Sequence, residues 1–202
     1  MTTIDVGVNR VVGRGPDSRA TAWDLSLATD GSFTLTGSTT LIPEQSSVAY
    51  AITDEGDISG RVDGQTPTNP LDIHAFVIRD DLLEILPNSR RDYYGIGVDL
   101  NDSDVVGATG PVFTTNHATT WDSRGKLNDL EREYFDDSWL RTIVEGINST
   151  GEMVGWGTGG AWLLRKTLAP LTATRAIPEP STIILALLCV TGAATYGRRV
   201  RR

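Results

Sequence analysis

Ile147-Asn148-Ser149-Thr150-Gly151-Glu152-Met153-Val154-Gly155 decides the fold, because the chain repeats it. Working backwards, Val98-Asp99-Leu100-Asn101-Asp102-Ser103-Asp104 leads into Val105-Val106-Gly107, and Ala51-Ile52-Thr53-Asp54-Glu55-Gly56-Asp57 leads into Ile58-Ser59-Gly60. Val11-Val12-Gly13, preceded by the less regular Ile4 to Arg10, makes a fourth copy. The glycines Gly13, Gly60, Gly107 and Gly155 follow one another at 47, 47 and 48 residues. Asn or Asp opening a short turn that contains Gly or Ser is turn chemistry, since those side chains bond the nearby backbone and Gly accepts positive φ. Each copy therefore predicts a hairpin ending on a glycine.

Downstream of each glycine comes a small residue followed by an aromatic: Ala22-Trp23, Ala75-Phe76, Thr120-Trp121 and Ala161-Trp162. A leucine-bearing piece follows in the first three units, at Leu41-Ile42-Pro43, Ile85-Leu86-Pro87 and Leu127 to Leu130. A period in the forties with three or four short β segments predicts an all-β, propeller-like array of four-stranded repeats, in which no unit buries its apolar face without a neighbour. The recurrent aromatics Trp23, Phe76, Trp121 and Trp162 are expected to pack between successive sheets at equivalent places.

His74-Ala75-Phe76 and the nine-residue stretch from Ile147 to Gly155 resemble the HAF repeats of exported bacterial proteins. The resemblance runs from residue 4 to about 166, with His74-Ala75-Phe76 and Ile147 to Gly155 as its best-matching copies. Residues 1–167 are accordingly expected to form one HAF-like repeat domain. Leu168 to Ala176, with Pro170, Thr172 and Thr174, reads as a spacer.

The C-terminus has a different character. Ile177-Pro178-Glu179-Pro180-Ser181-Thr182 precedes an apolar run, and Arg198, Arg199, Arg201 and Arg202 end the sequence. Pro178 and Pro180 lack backbone N–H groups and push their neighbours toward extended conformations, which predicts an exposed, non-helical strip. Thr182 to Gly197 is 16 residues without a charge, about 24 Å as a helix at about 1.5 Å per residue. That is short against a hydrocarbon core of about 30 Å, and arginine snorkelling with local bilayer thinning absorbs the deficit. The arginines favour a cytoplasmic C-terminus for a single transmembrane helix over about 182–197.

Box, apolar segment and arginines in this order look like the PEP-CTERM sorting signal, here spanning residues 177–202. The resemblance implies that Pro178, Glu179 and Pro180 are read by an exosortase in the membrane, which passes the processed protein to the cell surface or exterior. It implies a route and not an activity. Proteins with this signal start with a secretory signal peptide, whereas Met1-Thr2-Thr3-Ile4-Asp5-Val6 has neither a basic nor an apolar leader segment. An N-terminal truncation or a misplaced start is expected, with further repeats upstream.

Of the 18 basic and 26 acidic residues, four arginines and Glu179 lie in the tail, so residues 1–176 carry 14 against 25, a net of −11. Such a body is a poor partner for nucleic acid or anionic lipid and reads as the solvated surface of an exported protein. The one cysteine, Cys189, lies in the apolar run, which leaves no disulfide framework and no cysteine-based zinc site.

No cofactor, metal or catalytic residue is expected. His74 and His117 sit at loosely comparable places in adjacent repeats, which favours a structural role, and neither has a carboxylate at i+3 or i+4. Asp54, Glu55 and Asp57, with Asp102 and Asp104 one repeat on, are oxygen donors suited to calcium, but they lack the alternating ligand loop and the turns already account for them. Asp136 and Asp137 beside Trp139 would suit a sugar pocket, yet a charged loop beside a core tryptophan explains them as well. Asn148-Ser149-Thr150 is a formal glycosylation sequon that the repeat turn accounts for. Two function classes remain: a non-catalytic surface or matrix protein that binds polysaccharide or an envelope protein, and an exported hydrolase or lyase acting from loops at one end of a propeller. The largest irregular insertions, Arg61 to Leu71 and Ala108 to Ala118, hold few acid–base side chains, which favours binding.

Overall fold

The computed structural model describes residues 5–7, 9–64, 72–88, 93–111, 116–135, 141–165 and 174–175. They form four antiparallel sheets, each a four-stranded meander taken in chain order. The first comprises β1 (Asp5–Gly7), β2 (Arg10–Arg14), β3 (Ala20–Leu27) and β4 (Phe33–Thr40). The second comprises β5 (Ser47–Ile52), β6 (Ile58–Asp63), β7 (Ile73–Arg79) and β8 (Leu82–Ile85). In the third are β9 (Tyr93–Leu100), β10 (Asp104–Pro111), β11 (His117–Asp122) and β12 (Leu127–Asp129), followed by a one-turn helix, α1 (Leu130–Tyr134). The fourth contains β13 (Thr142–Ile147), β14 (Met153–Gly157), β15 (Gly160–Leu164) and the two-residue β16 (Thr174–Arg175).

The hairpin turns form where the sequence places turn chemistry. Asn148 Oδ1 accepts from the backbone N–H of Thr150 and Glu152 at 3.1 and 2.8 Å. Asn101 Oδ1 accepts from those of Ser103 and Asp104 at 2.9 and 2.8 Å. Thr53 Oγ1 takes the N–H of Asp57 at 3.1 Å. Gly56 and Gly151 supply the left-handed residue, at φ +95° and +81°.

The second-strand glycines admit a close backbone approach. A Cβ on Gly60, Gly107 or Gly155 would collide with the carbonyl oxygen of Val48, Ile96 or Ile143 on the first strand of its own sheet. Immediately beyond each contact the first strand carries one unpaired extra residue, Tyr50, Val98 or Glu145. Such a bulge bends the strand and sharpens its twist.

Pairing to these glycines gives a register common to all four sheets. The residue after the glycine faces an alanine every time: Arg14 opposite Ala20, Arg61 opposite Ala75, Ala108 opposite Ala118, and Trp156 opposite Ala161. The aromatics occupy two levels. Phe76 and Trp162 lie directly opposite Gly60 and Gly155, whereas Trp23 and Trp121 pair with Val11 and Val105, two residues away from the glycine level. Thr21 and Thr119 stand opposite Gly13 and Gly107 instead. A shift of two keeps the side chain on the same face, so all four aromatics still point the same way along the stack.

Apolar side chains fill the space between successive sheets. Val12, Ala20 and Ala22 of the first meet Ile58, Val62 and Phe76 of the second. Ala75 and Val77 of the second meet Leu100, Val105 and Trp121 of the third. Val106 and Ala118 of the third meet Val144, Trp162 and Leu164 of the fourth. Phe76, Trp121 and Trp162 are fully buried in these layers, and the Trp121 indole N–H donates to Pro87 O at 2.8 Å. Trp23 is only half-buried, because its face of the first sheet meets no other sheet among the described residues.

Two further features depart from the sequence reading. The piece from Leu127 to Leu130 is strand and then helix, with Asp129 Oδ1 capping Arg132 N at 3.3 Å. Thr174–Arg175, within the expected spacer, pairs with Trp162–Leu163 as a fourth strand. The expected transmembrane helix over about 182–197 lies outside the described residues, and among the described residues no helix is long and apolar enough to cross a membrane.

Two substitutions probe this frame. Trp121→Ala removes a fully buried ring and its hydrogen bond and is expected to cost about 3–5 kcal/mol in a denaturant melt. Gly107→Ala forces a methyl against the Ile96 carbonyl and is expected to cost about 1–3 kcal/mol, whereas glycine to alanine in an open strand position would be neutral or stabilising.

Candidate functional site

The stack has two rims of different construction. One carries the short turns that join first to second strands. Here the sheets are stitched by polar bonds at the repeat spacing: Asn101 Nδ2 donates to Asn148 O at 2.8 Å, and Ile147 N donates to Asp99 Oδ2 at 2.8 Å. Arg79 reaches Asp57 at 3.3 Å. Burial raises the Asp57 carboxyl above its ordinary range, with the Arg79 guanidinium pulling it back. Asp122, in the β11–β12 turn, has its carboxyl lowered by the backbone N–H groups of Lys126 and Arg124 that it accepts, at 3.0 and 2.9 Å. A cleft of about 370 Å³ opens on this rim between the first two sheets, lined by Asn9, Arg10, Asp24, Thr53, Asp54 and Glu55 among others.

The carboxylates weighed as calcium donors sit on this rim without converging. Asp54, Glu55 and Asp102 point to solvent, Asp57 is paired with Arg79, and Asp104 begins β10. Among the described residues no group of three or more His, Cys, Asp or Glu side chains is placed to hold a metal ion.

At the opposite rim the residue just before the register alanine is basic or imidazole in the first three sheets, and Gly160 in the fourth. Arg19 pairs with Asp17 at 3.3 Å, and His74 Nε2 lies 2.7 Å from Asp72 Oδ1. His117 Nδ1 lies 3.5 Å from Asp129 and 3.6 Å from Glu131. The two histidines are thus equivalent: His74 pairs with Val62 and His117 with Thr109, each two residues past the glycine.

This rim also locks one sheet to the next. Ser47 Oγ accepts from Ala20 N, and Thr142 Oγ1 accepts from Ala118 N, both at 2.9 Å. Ser47 N and Thr142 N return the contact to Ser18 O and Asn116 O, at 3.0 and 2.7 Å. Thr142 Oγ1 also donates to Glu131 Oε2 at 2.6 Å, so Glu131 joins His117 to the fourth sheet. At the middle junction the hydroxyl position is Gly95. There Asn88 Oδ1 occupies the place of a Cβ, and Asn88 Nδ2 donates to Ile73 O at 3.1 Å and to Tyr93 O.

Chemically, many rim donors and acceptors are engaged with backbone or with one another, while Asp54, Glu55 and Asp102 remain exposed and His74 Nδ1 and Asn88 Oδ1 are buried without a hydrogen-bond partner. Gly60, Gly107, Gly155, Phe76, Trp121 and Trp162 lie between the sheets, away from either rim. Asp136, Asp137 and Trp139 fall outside the described residues, as do Pro178, Glu179, Pro180, Arg198, Arg199, Arg201 and Arg202. The stitching by Asn101 and the equivalence of the alanines were hidden in the sequence, since they emerge only when strand registers are known.

Residues 176–202 match the family model of the PEP-CTERM protein-sorting motif. No curated protein matches the chain. The motif implies an exported protein of the cell envelope that is processed by an exosortase, a membrane enzyme.

Asn101→Ala leaves two turn N–H groups and Asn148 O without their partner, and is expected to lower stability by about 1–3 kcal/mol. Asp122 should make stability pH-dependent. Its folded-state pKa is lowered, so its contribution is present above the ordinary carboxylate value of about 3.9 and is lost as pH falls through the folded value. The difference between wild type and Asp122→Ala in denaturant midpoint should be full at pH 7 and vanish in strong acid.

Proposed function

We propose that the chain is a non-catalytic repeat protein of the cell surface or matrix, delivered by its C-terminal signal. In this reading residues 1–167 form HAF-like repeats arranged as propeller blades, and 168–176 link them to the signal at 177–202. The helix over about 182–197 spans the membrane once, with Arg198, Arg199, Arg201 and Arg202 on the cytoplasmic side until an exosortase recognises Pro178-Glu179-Pro180. Gly13, Gly60, Gly107 and Gly155, with Trp23, Phe76, Trp121 and Trp162, are scaffold. The partner is matrix polysaccharide.

The observation that carries this reading is the uniformity of the four meanders. Many of their polar side chains close turns or link sheets, as with Ser47 and Thr142 two repeats apart, or Asn101 bonded to Asn148 one repeat on. A catalytic site on a repeat scaffold instead draws a nucleophile or an acid–base pair out of that pattern.

Intact-mass measurement of protein recovered from the cell surface tests the sorting. The mature form should lack the apolar segment and the arginines, and Pro178→Ala with Pro180→Ala should retain both in the membrane fraction. A surface form ending in Arg202 would contradict the processing. Incubating the surface form with the host's purified exopolysaccharide tests the role: co-sedimentation without new reducing or unsaturated ends is expected. Progressive release of such ends would make the protein a hydrolase or lyase.

A further inference from the structure

Among the described residues, the outer faces of the first and fourth sheets present the two halves of one interface. In each of the first three sheets the residue before the register glycine is sealed under the next sheet: Val12, Ser59 and Val106 are all 0% exposed. Val154 holds that position in the fourth sheet and is 45% exposed. Ala20, Ala75 and Ala118 are likewise fully buried, whereas their equivalent Ala161 is half-buried. Trp156, equivalent to Ala108, is 48% exposed, and Leu163, equivalent to Thr120, is half-buried. The outer face of the fourth sheet is thus an apolar patch of Val154, Trp156, Ala161 and Leu163, built on the positions that receive a following sheet everywhere else.

The first sheet supplies the complementary half. Phe76, Trp121 and Trp162 each enter the layer shared with the preceding sheet. Trp23 points along the stack in the same sense, is only half-buried, and has half-buried Val11 beside it.

We infer that the outer face of the fourth sheet docks the outer face of the first sheet of a second copy of this chain, head to tail. The contact continues an interface that recurs three times within the chain, between the same register positions. Trp23 enters over Ala161 and Leu163, the equivalents of Ala75 and Val77, over which Trp121 enters. The interface is heterologous, so two copies close into a ring if the rotation per sheet permits and otherwise extend the stack. The inference stands whatever the array binds, and an upstream repeat of the same chain seated on the Trp23 face would overturn it.

Sedimentation of the full chain in mild detergent micelles, at micromolar concentration, tests this. Assemblies of two or more copies are expected for wild type. Val154→Asp, an exposed substitution, should give a monomer with unchanged β circular dichroism, and so should Trp23→Ser, or Val11→Asp if the tryptophan variant loses its strands. An equimolar mixture of Val154→Asp with the first-sheet variant should recover dimers, because each supplies the intact face that the other lacks. A monomeric wild type, association unchanged by Val154→Asp, or a mixture that stays monomeric would overturn the proposal.

Discussion

The fold depends on one close contact, made where a second strand lacks a side chain. At Gly60, Gly107 and Gly155 the backbone carbonyl of the first strand moves into the space a Cβ would take, and the first strand accommodates this by adding Tyr50, Val98 or Glu145. The bulge steepens the local twist. In the second and fourth sheets the next strand's ring lies over the same glycine: a Cβ on Gly60 would stand 2.7 Å from Phe76 Cε1. A glycine in a strand interior is ordinarily a loss of packing and of chain entropy. Here the aromatic replaces the missing contact and projects onward into the layer shared with the preceding sheet.

That contact also explains what was legible in the sequence. A position that tolerates no Cβ admits one residue type, so the 47-residue spacing stands out from the degenerate strands around it. The turns were legible for the same reason, since few side chains cap them as Asn101 and Asn148 do. The bulge residues are invisible, because a tyrosine, a valine and a glutamate serve equally once the ladder skips them. The aromatics misled in a specific way. Matching Ala22-Trp23 and Thr120-Trp121 to Ala75-Phe76 aligns residues two apart, and a two-residue slip leaves strand periodicity unchanged. Only pairing shows that Ala20 and Ala118 are the true equivalents of Ala75. The helix α1 did have a readable start, Asp129 followed by Glu131 and Glu133 in the first turn, but one turn of helix has no apolar period to reveal it.

The hydroxyl links at the far rim show how the sheets are held at a fixed spacing. Ser47 and Thr142 each take an alanine N–H from the sheet before and return their own N–H to a carbonyl two residues earlier. Both partners are buried, so the pair is costly to break and discriminates against sliding. Where the chain has Gly95 instead, Asn88 arrives from the end of the second sheet to bridge Ile73 O and Tyr93 O. Half of the chemistry is kept: Asn88 Nδ2 supplies the N–H given to the carbonyl two residues before the alanine, while Asn88 Oδ1 accepts no bond, and because the donor has changed position in sequence, spacing alone did not reveal it.

The acidity of the body follows from the same economy of backbone groups. Asp122 answers N–H groups within its own turn, and Asp99 accepts from Leu100 N and from Ile147 N of the next sheet. Carboxylates suit that task because charged acceptors make the stronger bonds to N–H groups. Asp57 shows the limit: burial raises its carboxyl, and the Arg79 guanidinium beside it opposes that shift. Part of the negative charge, at Asp99 and Asp122, is therefore engaged in joining sheets and closing turns, while Asp54, Glu55 and Asp102 remain on the solvated surface. What remains open to another molecule includes those carboxylates and the exposed apolar side chains, Val154 and Trp156 of the fourth sheet among them.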